Sequence, residues 1–380
     1  MQKFLHYGKY LLPSILVCFV FLLSSNSDTE DRKSMEEFQQ YYRVYSLSSP
    51  KHITFAGSKI SLAEFDVAER YDKEILTNVY WQSQTLLMLK RANRYLPIIE
   101  KILLENGIPS DFKYLALAES GLQNVVSPAG AAGFWQFLDK TGKRYGLEIN
   151  EEVDERYHLE KATKAACLYL NESYQTLQDW SLVAASYNMG LEGVKKQLRN
   201  QQVSNYYDLY LNVETARYLF RIIAIKDICE NPSKFGFNIS ATDYYKPIPV
   251  VWVKVNYPIN GLAEWSKTHA CNYKILKLLN SWLRKPFLNP TNKTYYISLP
   301  KDKLLAAGFG KQIIADTLRK DESNVTPSFS YEDHTVVKGE TLKSIAEKYG
   351  ISEEDICTWN EILPGTTLKP GSKIRIRLEP

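Results

Sequence analysis

Glu119 is the residue whose type and position in this sequence best suit acid–base chemistry. It lies in the last turn of a predicted apolar helix, after residues 114–118 and directly before Ser120 and Gly121. The unpaired carbonyl groups at the end of a helix disfavour an ionised carboxylate, and apolar neighbours act in the same direction through desolvation. Both effects predict a raised pKa, so that Glu119 would hold a proton for a leaving group at neutral pH. Taken alone, the residue also fits a solvated glutamate at a frayed helix end.

Three short segments further along the chain could surround such an acid. Residues 127–137 are rich in glycine and alanine and end in aromatic residues, with small side chains that let a polymer approach the backbone. Residues 184–190 end a buried apolar helix with a tyrosine, an asparagine and a glycine, and residues 214–218 bring a further tyrosine. Each segment alone is more often structural than functional; Trp135, in particular, is expected in the core rather than in a sugar subsite.

The order and combination of residues 118–121, 130–137, 186–190 and 214–218 resemble the lytic transglycosylase (soluble lytic murein transglycosylase-like, SLT) family, in its membrane-bound D type. The resemblance covers residues 98–229, with Ser186 where the family more often has alanine. It implies a lysozyme-like helical domain in which Glu119 is the catalytic acid and then the base. The resemblance also implies that the substrate is bound by Ser120, Gln136, Tyr187, Asn188 and Tyr218.

The implied reaction cuts the bond between N-acetylmuramic acid and N-acetylglucosamine in peptidoglycan and leaves a 1,6-anhydromuramyl end. A hydrolysing muramidase of the same fold is the main alternative. Unlike the transglycosylase, it would need a second carboxylate. A non-catalytic peptidoglycan-binding protein is another. The candidate second carboxylates lie in charged stretches that are expected to be solvated: Asp139, Glu148, Glu151, Glu152 and Asp154.

The C-terminal half contains a repeat with an offset of 80 residues, in which Leu262 and Asn280 recur as Leu342 and Asn360. Each copy is predicted to run strand, two short helices, strand. The second copy resembles a LysM domain, a module that binds N-acetylglucosamine-containing glycans. The first copy has residues 258–262 in place of the Gly-Glu-Thr-Leu turn, so a structural role is expected for it. The resemblance assigns glycan binding in the second copy to Gly339, Thr341, Leu342 and Asn360.

The N-terminus predicts export. Basic residues precede an apolar run at residues 10–23, which is too short to span a bilayer comfortably and suits a signal peptide, with an uncleaved membrane anchor as the alternative. We therefore expect a location in the periplasm or cell envelope. Lipidation at Cys18 is disfavoured because a bulky residue precedes it and apolar residues follow it.

Composition limits the other classes of partner. The net charge of +4 is spread without a long basic run, which argues against a nucleic-acid binder. The cysteines form no CxxC pair and the five histidines are scattered, so neither a zinc site nor another cofactor is expected. Cys167 and Cys229 are predicted to be small buried hydrophobic residues.

The sequence thus predicts a mainly α chain, with a helical catalytic domain followed by small α+β modules of βααβ order. Residues 24–61 are expected to be an irregular tether, and Pro97 is expected to open a helix that Gly107 closes. The predicted parts are a signal peptide or anchor (1–27), a linker and helical extension (28–84), the catalytic domain (85–240), a degenerate LysM-like module (245–300), a linker (301–330) and a LysM domain (331–380).

Overall fold

The computed structural model describes residues 32–33, 35–37, 44–307, 330–351, 353–360, 362–363 and 365–378. Residues 1–49 and 50–380 form two separate units. The predicted signal peptide or anchor lies outside the described residues. None of the helices in the described ranges is long and apolar enough to cross a membrane.

The mainly α prediction is confirmed. Residues 50–237 contain one β-hairpin and eight α-helices, with short 3-10 turns at Ser110–Phe112, Glu155–Tyr157 and Pro232–Phe235. The hairpin strands are β1 (His52–Phe55) and β2 (Ser58–Ser61), and the helices are α1 (Phe65–Tyr80), α2 (Gln82–Glu105), α3 (Lys113–Ser120), α4 (Asp139–Arg144), α5 (Leu159–Leu177), α6 (Trp180–Met189), α7 (Leu191–Gln201) and α8 (Val213–Glu230).

The β1–β2 hairpin corrects the prediction that the chain is an irregular tether up to residue 61. Ile53 pairs with Ile60, and Phe55 is fully buried with its ring centroid 5.2 Å from that of Phe112. The Lys226 ammonium donates to the Thr54 carbonyl at 3.1 Å and ties the hairpin to α8. Alternating apolar residues on either side of a tight turn are a hairpin signal that the polar composition of this stretch concealed.

Pro97 does not open a helix, because it lies inside α2. A proline within a helix loses one backbone hydrogen bond and disfavours the helix by roughly 3 kcal/mol. The helix nevertheless continues on both sides, with Leu96, Ile99 and Leu103 buried in the core. Burial of this apolar face outweighs the local cost of the proline.

The helix ends that matter for Glu119 agree with the sequence. Helix α3 stops at Gly121, which has a left-handed φ of 57°. In α6, residues 182–185 are buried on every side, and Gly190 follows the helix. Asn212 caps α8, since its side chain accepts a hydrogen bond from the backbone N–H of Thr215 at 3.0 Å.

Two βααβ modules follow, as the repeat predicts. The first consists of β3 (Val250–Val255), α9 (Leu262–Thr268), α10 (Tyr273–Leu279) and β4 (Tyr295–Pro300), and the short helix α11 (Lys301–Ala306) continues directly from it. The second consists of β5 (Ser330–Thr335), α12 (Leu342–Tyr349), α13 (Glu353–Asn360) and β6 (Lys373–Leu378). In each module the two strands pair antiparallel.

An equivalent asparagine in each module bonds to the backbone of the module's last strand, and we call this contact the asparagine clamp. The Asn280 amide donates to the Ser298 carbonyl at 2.7 Å and accepts from the Ser298 N–H at 2.7 Å. Asn360 makes the same two bonds to Arg375, at 2.8 and 2.6 Å. The clamp joins the end of the second helix to the last strand in both copies. The asparagine that recurs in the sequence therefore has the same structural role in each module.

The two modules have different cores. The core of the second is made of its own residues, such as Ile345, Ile356 and Ile376. The core of the first also includes Ala132, Val153 and Tyr157 from the helical region. Cys167 is fully buried, as expected, whereas Cys229 is only partly buried.

Candidate active site

Glu119 lies at the end of α3 and keeps part of its surface exposed. Burial raises its pKa from 4.5 to about 7, and the charge of Glu214 adds to this rise. A hydrogen bond from the Tyr218 hydroxyl to Glu119 Oε1 and the positive charge of Arg221 act in the opposite direction. Glu119 can therefore exist in either protonation state near neutral pH, as a group must that first donates and then accepts a proton.

Ser120 ties the catalytic helix to the segment of residues 127–137, called the glycine loop below. Its hydroxyl donates to the Phe134 carbonyl at 2.8 Å, while the residue itself is 7% exposed. The resemblance implied that Ser120 would contact the substrate. In the structure its hydroxyl bonds to the loop backbone, which fixes the distance between loop and helix; contact with a sugar stays a prediction.

Gln136 occupies a strained position in the glycine loop, with a φ of 50°. Its side-chain amide donates to the carbonyls of Gly133 at 2.8 Å and Val125 at 3.1 Å. A non-glycine residue at positive φ is uncommon and is held there by its surroundings. The amide thus stabilises the loop, and its carbonyl oxygen is the group left for the predicted sugar contact.

Tyr187 joins α6 to the glycine loop. Its hydroxyl donates to the Trp135 carbonyl at 2.7 Å, and its pKa is raised well above 10 by burial and by the neighbouring Glu119 charge. Its ring packs against that of Tyr169 in an edge-to-face contact. The Trp135 side chain is fully buried and donates to Thr163 Oγ1 at 2.9 Å, which confirms its core position.

Asn188 and the start of α8 form a second polar group. Asn188 Oδ1 accepts from the buried Thr215 hydroxyl at 2.7 Å, and its Nδ2 donates to Glu214 at 3.3 Å. The Thr215 N–H is the one that Asn212 caps. Thr215 therefore braces the start of α8, and it also orients the Asn188 amide.

The structure places the five suspected second carboxylates in other contacts. Asp154 is 6% exposed and pairs with Arg156 at 2.7 Å, so the expectation that it is solvated is wrong. The 3-10 turn at Glu155–Tyr157 buries it, because its side chain caps that turn. Glu148 is half-buried and accepts from the Tyr295 hydroxyl as well as pairing with Lys293. The remaining three pair with lysines or an asparagine: Asp139, Glu151 and Glu152.

The four predicted LysM residues surround the start and end of that module's helices. Gly339 has a φ of 95°, and the Thr341 side chain caps α12 by accepting from the Ser344 N–H at 3.2 Å. Leu342 is buried, and Asn360 forms the clamp. The side chains of Thr341, Leu342 and Asn360 thus serve the module's own structure, and glycan contact by these residues stays a prediction.

Sequence reasoning missed three arginines: one at the end of α3, one whose charge reaches Glu119, and one at the glycine loop. Arg91 donates to the Gly121 carbonyl at 2.7 Å and so caps the catalytic helix. Arg221 lies near enough to lower the pKa of Glu119, and Arg156 holds the glycine loop. Only Arg156 left a signal, since Asp-x-Arg spacing suits a side chain that pairs two residues away.

Comparison with known proteins agrees with this architecture. Residues 97–209 match the model of the Transglycosylase SLT domain, and residues 252–303 match the Soluble lytic transglycosylase C-terminal LysM-like domain. Residues 334–377 match the LysM domain. The acid at the end of a short helix and the two βααβ modules that follow agree with these matches, so the chain has an SLT domain and is a lytic transglycosylase enzyme.

Two curated relatives indicate the subgroup. The chain is 28% identical over 330 residues to the membrane-bound lytic murein transglycosylase D of Escherichia coli strain K12, covering 84% of this chain and 70% of that protein. The protein of the same name from Escherichia coli O6:H1 matches to the same extent. The resemblance to this family that the motifs indicated is thereby confirmed.

Proposed function

We propose that this enzyme cuts the β-1,4 bond between N-acetylmuramic acid and N-acetylglucosamine in peptidoglycan, with Glu119 as its single acid and base. The observation that carries the proposal is the pKa of Glu119, raised to about 7, together with its hydrogen bond from Tyr218. The match of the LysM domain and the names of the two relatives support peptidoglycan as the substrate.

The proposed reaction needs one carboxyl group for both steps. Protonated Glu119 gives its proton to the glycosidic oxygen while the bond from that oxygen to the muramyl C1 breaks. The substrate's own N-acetyl group stabilises the positive charge that develops at C1. The muramyl 6-hydroxyl then forms a bond to C1 and loses its proton to the Glu119 carboxylate. The products are a 1,6-anhydromuramyl end and a free N-acetylglucosamine 4-hydroxyl, with no water consumed.

The surrounding groups have matching roles in this proposal. Tyr218 stabilises the Glu119 carboxylate between the two steps, because a hydrogen bond to a charged group is stronger than one to a neutral group. Tyr187 and Asn188 line the cleft beside it, and the Gln136 carbonyl faces the N-acetyl groups. Ser120 keeps the glycine loop at a fixed distance from the acid.

We further propose that the enzyme is exported and works in the periplasm or cell envelope, attached to or passing through the membrane by its N-terminal residues. The basic residues and the apolar run at positions 10–23 support export, and the membrane-bound relatives support attachment. The LysM domain would hold the enzyme on glycan strands.

The test is product analysis with purified full-length protein and peptidoglycan sacculi. We expect soluble muropeptides lighter by one water than hydrolysis would give, and we expect Glu119→Gln to release none. Glu214→Gln is the matched control, since Glu214 is the exposed carboxylate whose charge reaches Glu119.

Two other results would reject the proposal in different ways. Reducing muramyl ends that disappear in Glu214→Gln would identify a hydrolase with two carboxylates. Binding to sacculi without release of any product would identify a non-catalytic peptidoglycan-binding protein.

A further inference from the structure

The glycine loop is hydrogen-bonded to two neighbours of the catalytic acid, so its position can affect the surroundings of Glu119. Its Phe134 carbonyl accepts from Ser120 at 2.8 Å, and its Trp135 carbonyl accepts from Tyr187 at 2.7 Å. Both partners lie beside Glu119, one as its chain neighbour and one as a ring whose pKa responds to its charge. A shift of this loop would move both contacts.

Arg156 is hydrogen-bonded to the backbone of the glycine loop. Its Nη1 donates to the Gly130 carbonyl at 3.1 Å and to the Phe137 carbonyl at 3.2 Å, so one guanidinium joins the two ends of the loop. Between these ends, Gly133 lies so close to Arg156 that an added Cβ would be 1.8 Å from the Arg156 carbonyl oxygen. The loop and the 3-10 turn that carries Arg156 are in direct backbone contact.

Asp154 fixes the direction of the Arg156 side chain. Its two oxygens accept from Arg156 Nε at 3.0 Å and Nη2 at 2.7 Å, and both side chains are largely buried. A two-point pair of this kind restricts the guanidinium to one orientation. Its Nη1 is therefore aimed at the loop carbonyls.

The LysM-like module supports this pair through residues 281–284, which we call the docking turn. The Asp154 N–H donates to the Trp282 carbonyl at 2.9 Å, and the Arg284 N–H donates to the Glu152 carbonyl at 2.7 Å. Ser281 donates to the Tyr157 carbonyl at 3.2 Å. The docking turn thus bonds to the backbone on both sides of Arg156.

The module also reaches the loop directly. Ala132, in the middle of the glycine loop, is 1% exposed and belongs to the core of the LysM-like module together with Trp282 and Leu283. Asn124, between α3 and the loop, donates to Ser281 Oγ at 2.6 Å. The module therefore contacts the loop and its flank both through apolar packing and through a side-chain hydrogen bond.

We propose that the LysM-like module acts as a support of the active site, with Arg156 as the positioning residue that transmits its contacts to the glycine loop. This inference rests on the proposed role of Glu119. The module then contributes to the rate of bond cleavage rather than to the capture of glycan.

The test compares full-length variants on soluble, uncrosslinked glycan strands, with kcat, KM and the pH–rate profile measured for each. Arg156→Lys keeps the charge but loses the fork that joins Asp154 to both loop carbonyls. We expect kcat to fall by about 10- to 100-fold with KM nearly unchanged, since small displacements near reacting groups have effects of this size. Ser281→Ala should lower kcat in the same direction by a smaller factor, about 2- to 5-fold, because it removes the side-chain bonds to Asn124 and to the Tyr157 carbonyl but leaves the backbone bonds of the docking turn in place.

The pH profile separates positioning from a purely structural role. A loosened loop admits water to Glu119, so its pKa moves down toward the ordinary range and the alkaline limb of the profile moves to lower pH. A structural role alone would lower the melting temperature and leave kcat per folded molecule and the profile unchanged. Lys274→Ala, at an exposed lysine of α10, is the control for substitutions in the same module.

The two possible failures are distinguishable. If Arg156→Lys and Ser281→Ala keep the kcat and pH profile of the unmodified enzyme while Glu119→Gln is inactive, the support role is wrong and the proposed reaction stands. If Glu119→Gln still forms anhydro ends, the proposed function itself is wrong.

Discussion

At the scale of single residues, Glu119 combines opposing influences on one carboxyl group. Burial favours the protonated form, whereas the Tyr218 hydrogen bond and the Arg221 charge favour the ionised form. Burial wins, and the pKa lies about where a group that must both give and take a proton works best. The folded chain bears a cost for this arrangement, because an ionised carboxylate in a poorly solvated place is unfavourable.

We predict that Glu119→Gln raises the free energy of unfolding above that of the unmodified chain, and that this gain is larger at pH 8 than at pH 5. Below pH 4.5 the carboxyl group is protonated in both the folded and the unfolded state. Between pH 4.5 and about 7 the unfolded chain releases its proton first, so the free energy of unfolding falls as pH rises. The fall amounts to roughly 2–3 kcal/mol, and the neutral glutamine does not share it.

Urea unfolding of both proteins at the two pH values measures this difference. The advantage of the glutamine variant should appear between pH 5 and 7 and stay level above that. An advantage that is the same at pH 5 and pH 8 would mean that the pKa of Glu119 is not raised in the folded protein.

The sequence predicted the position of Glu119 and the direction of its pKa shift, because both follow from neighbours along one helix. It did not predict that the hydroxyl of Ser120 and the amide nitrogen of Gln136 bond to backbone carbonyls. Which partner a polar side chain selects depends on the fold around it. Arg156 was missed for the same reason, as its carbonyl partners lie 19 and 26 residues away.

At the scale of elements, the glycine loop depends on close backbone contact. Gly133 combines a φ of 79° with no room for a side chain, whereas Gly130 has a φ of 82° and open space around it. Substitutions at these two glycines can therefore distinguish the effect of steric contact from the effect of a positive φ within one loop.

We predict that Gly133→Ala destabilises the protein by about 1–3 kcal/mol more than Gly130→Ala does. The Gly130 variant bears only the strain of a left-handed alanine, about 1–2 kcal/mol. The Gly133 variant must also push the loop away from the Arg156 carbonyl, which adds an overpacking cost of about 1–3 kcal/mol. Chemical denaturation of both variants measures the difference, and equal stabilities would show that the loop moves aside freely.

Two elements show where local sequence patterns mislead. Pro97 suggested a helix start, but the apolar residues around it keep α2 continuous. The hairpin at residues 52–61 lies in a polar stretch, and its stability depends on contacts with Phe112 and Lys226, which are distant in sequence. Local propensity is a weak guide wherever such long-range burial decides the outcome.

At the scale of the whole molecule, the two modules have the same fold but differ in how they pack against the helical region. The asparagine clamp is the same in both, yet the first module forms its core with three residues of the helical region and the second forms a core of its own. The repeat in the sequence predicted the common fold. It could not predict the shared core, which depends on residues outside the repeat.

We predict that Asn280→Ala and Asn360→Ala affect different unfolding transitions. Asn280→Ala leaves two partly buried backbone groups of Ser298 without partners, at a cost of about 1–3 kcal/mol per group. Asn360→Ala removes the same two bonds to Arg375, which are exposed, so its cost should be smaller. Asn280→Ala should lower the main calorimetric transition, in which the first module and the helical region melt together. Asn360→Ala should lower only the transition of residues 331–378. A loss confined to the same single transition in both variants would show that the molecule unfolds as one cooperative unit.

The shared core also determines where this chain tolerates rearrangement of its gene. Recombination that removes, exchanges or multiplies the segment after residue 330 leaves every residue of the first core in place. A break between residues 157 and 250 would instead separate Ala132, Val153 and Tyr157 from the residues they pack against. The terminal module is therefore portable, whereas the middle one is inherited together with the enzyme.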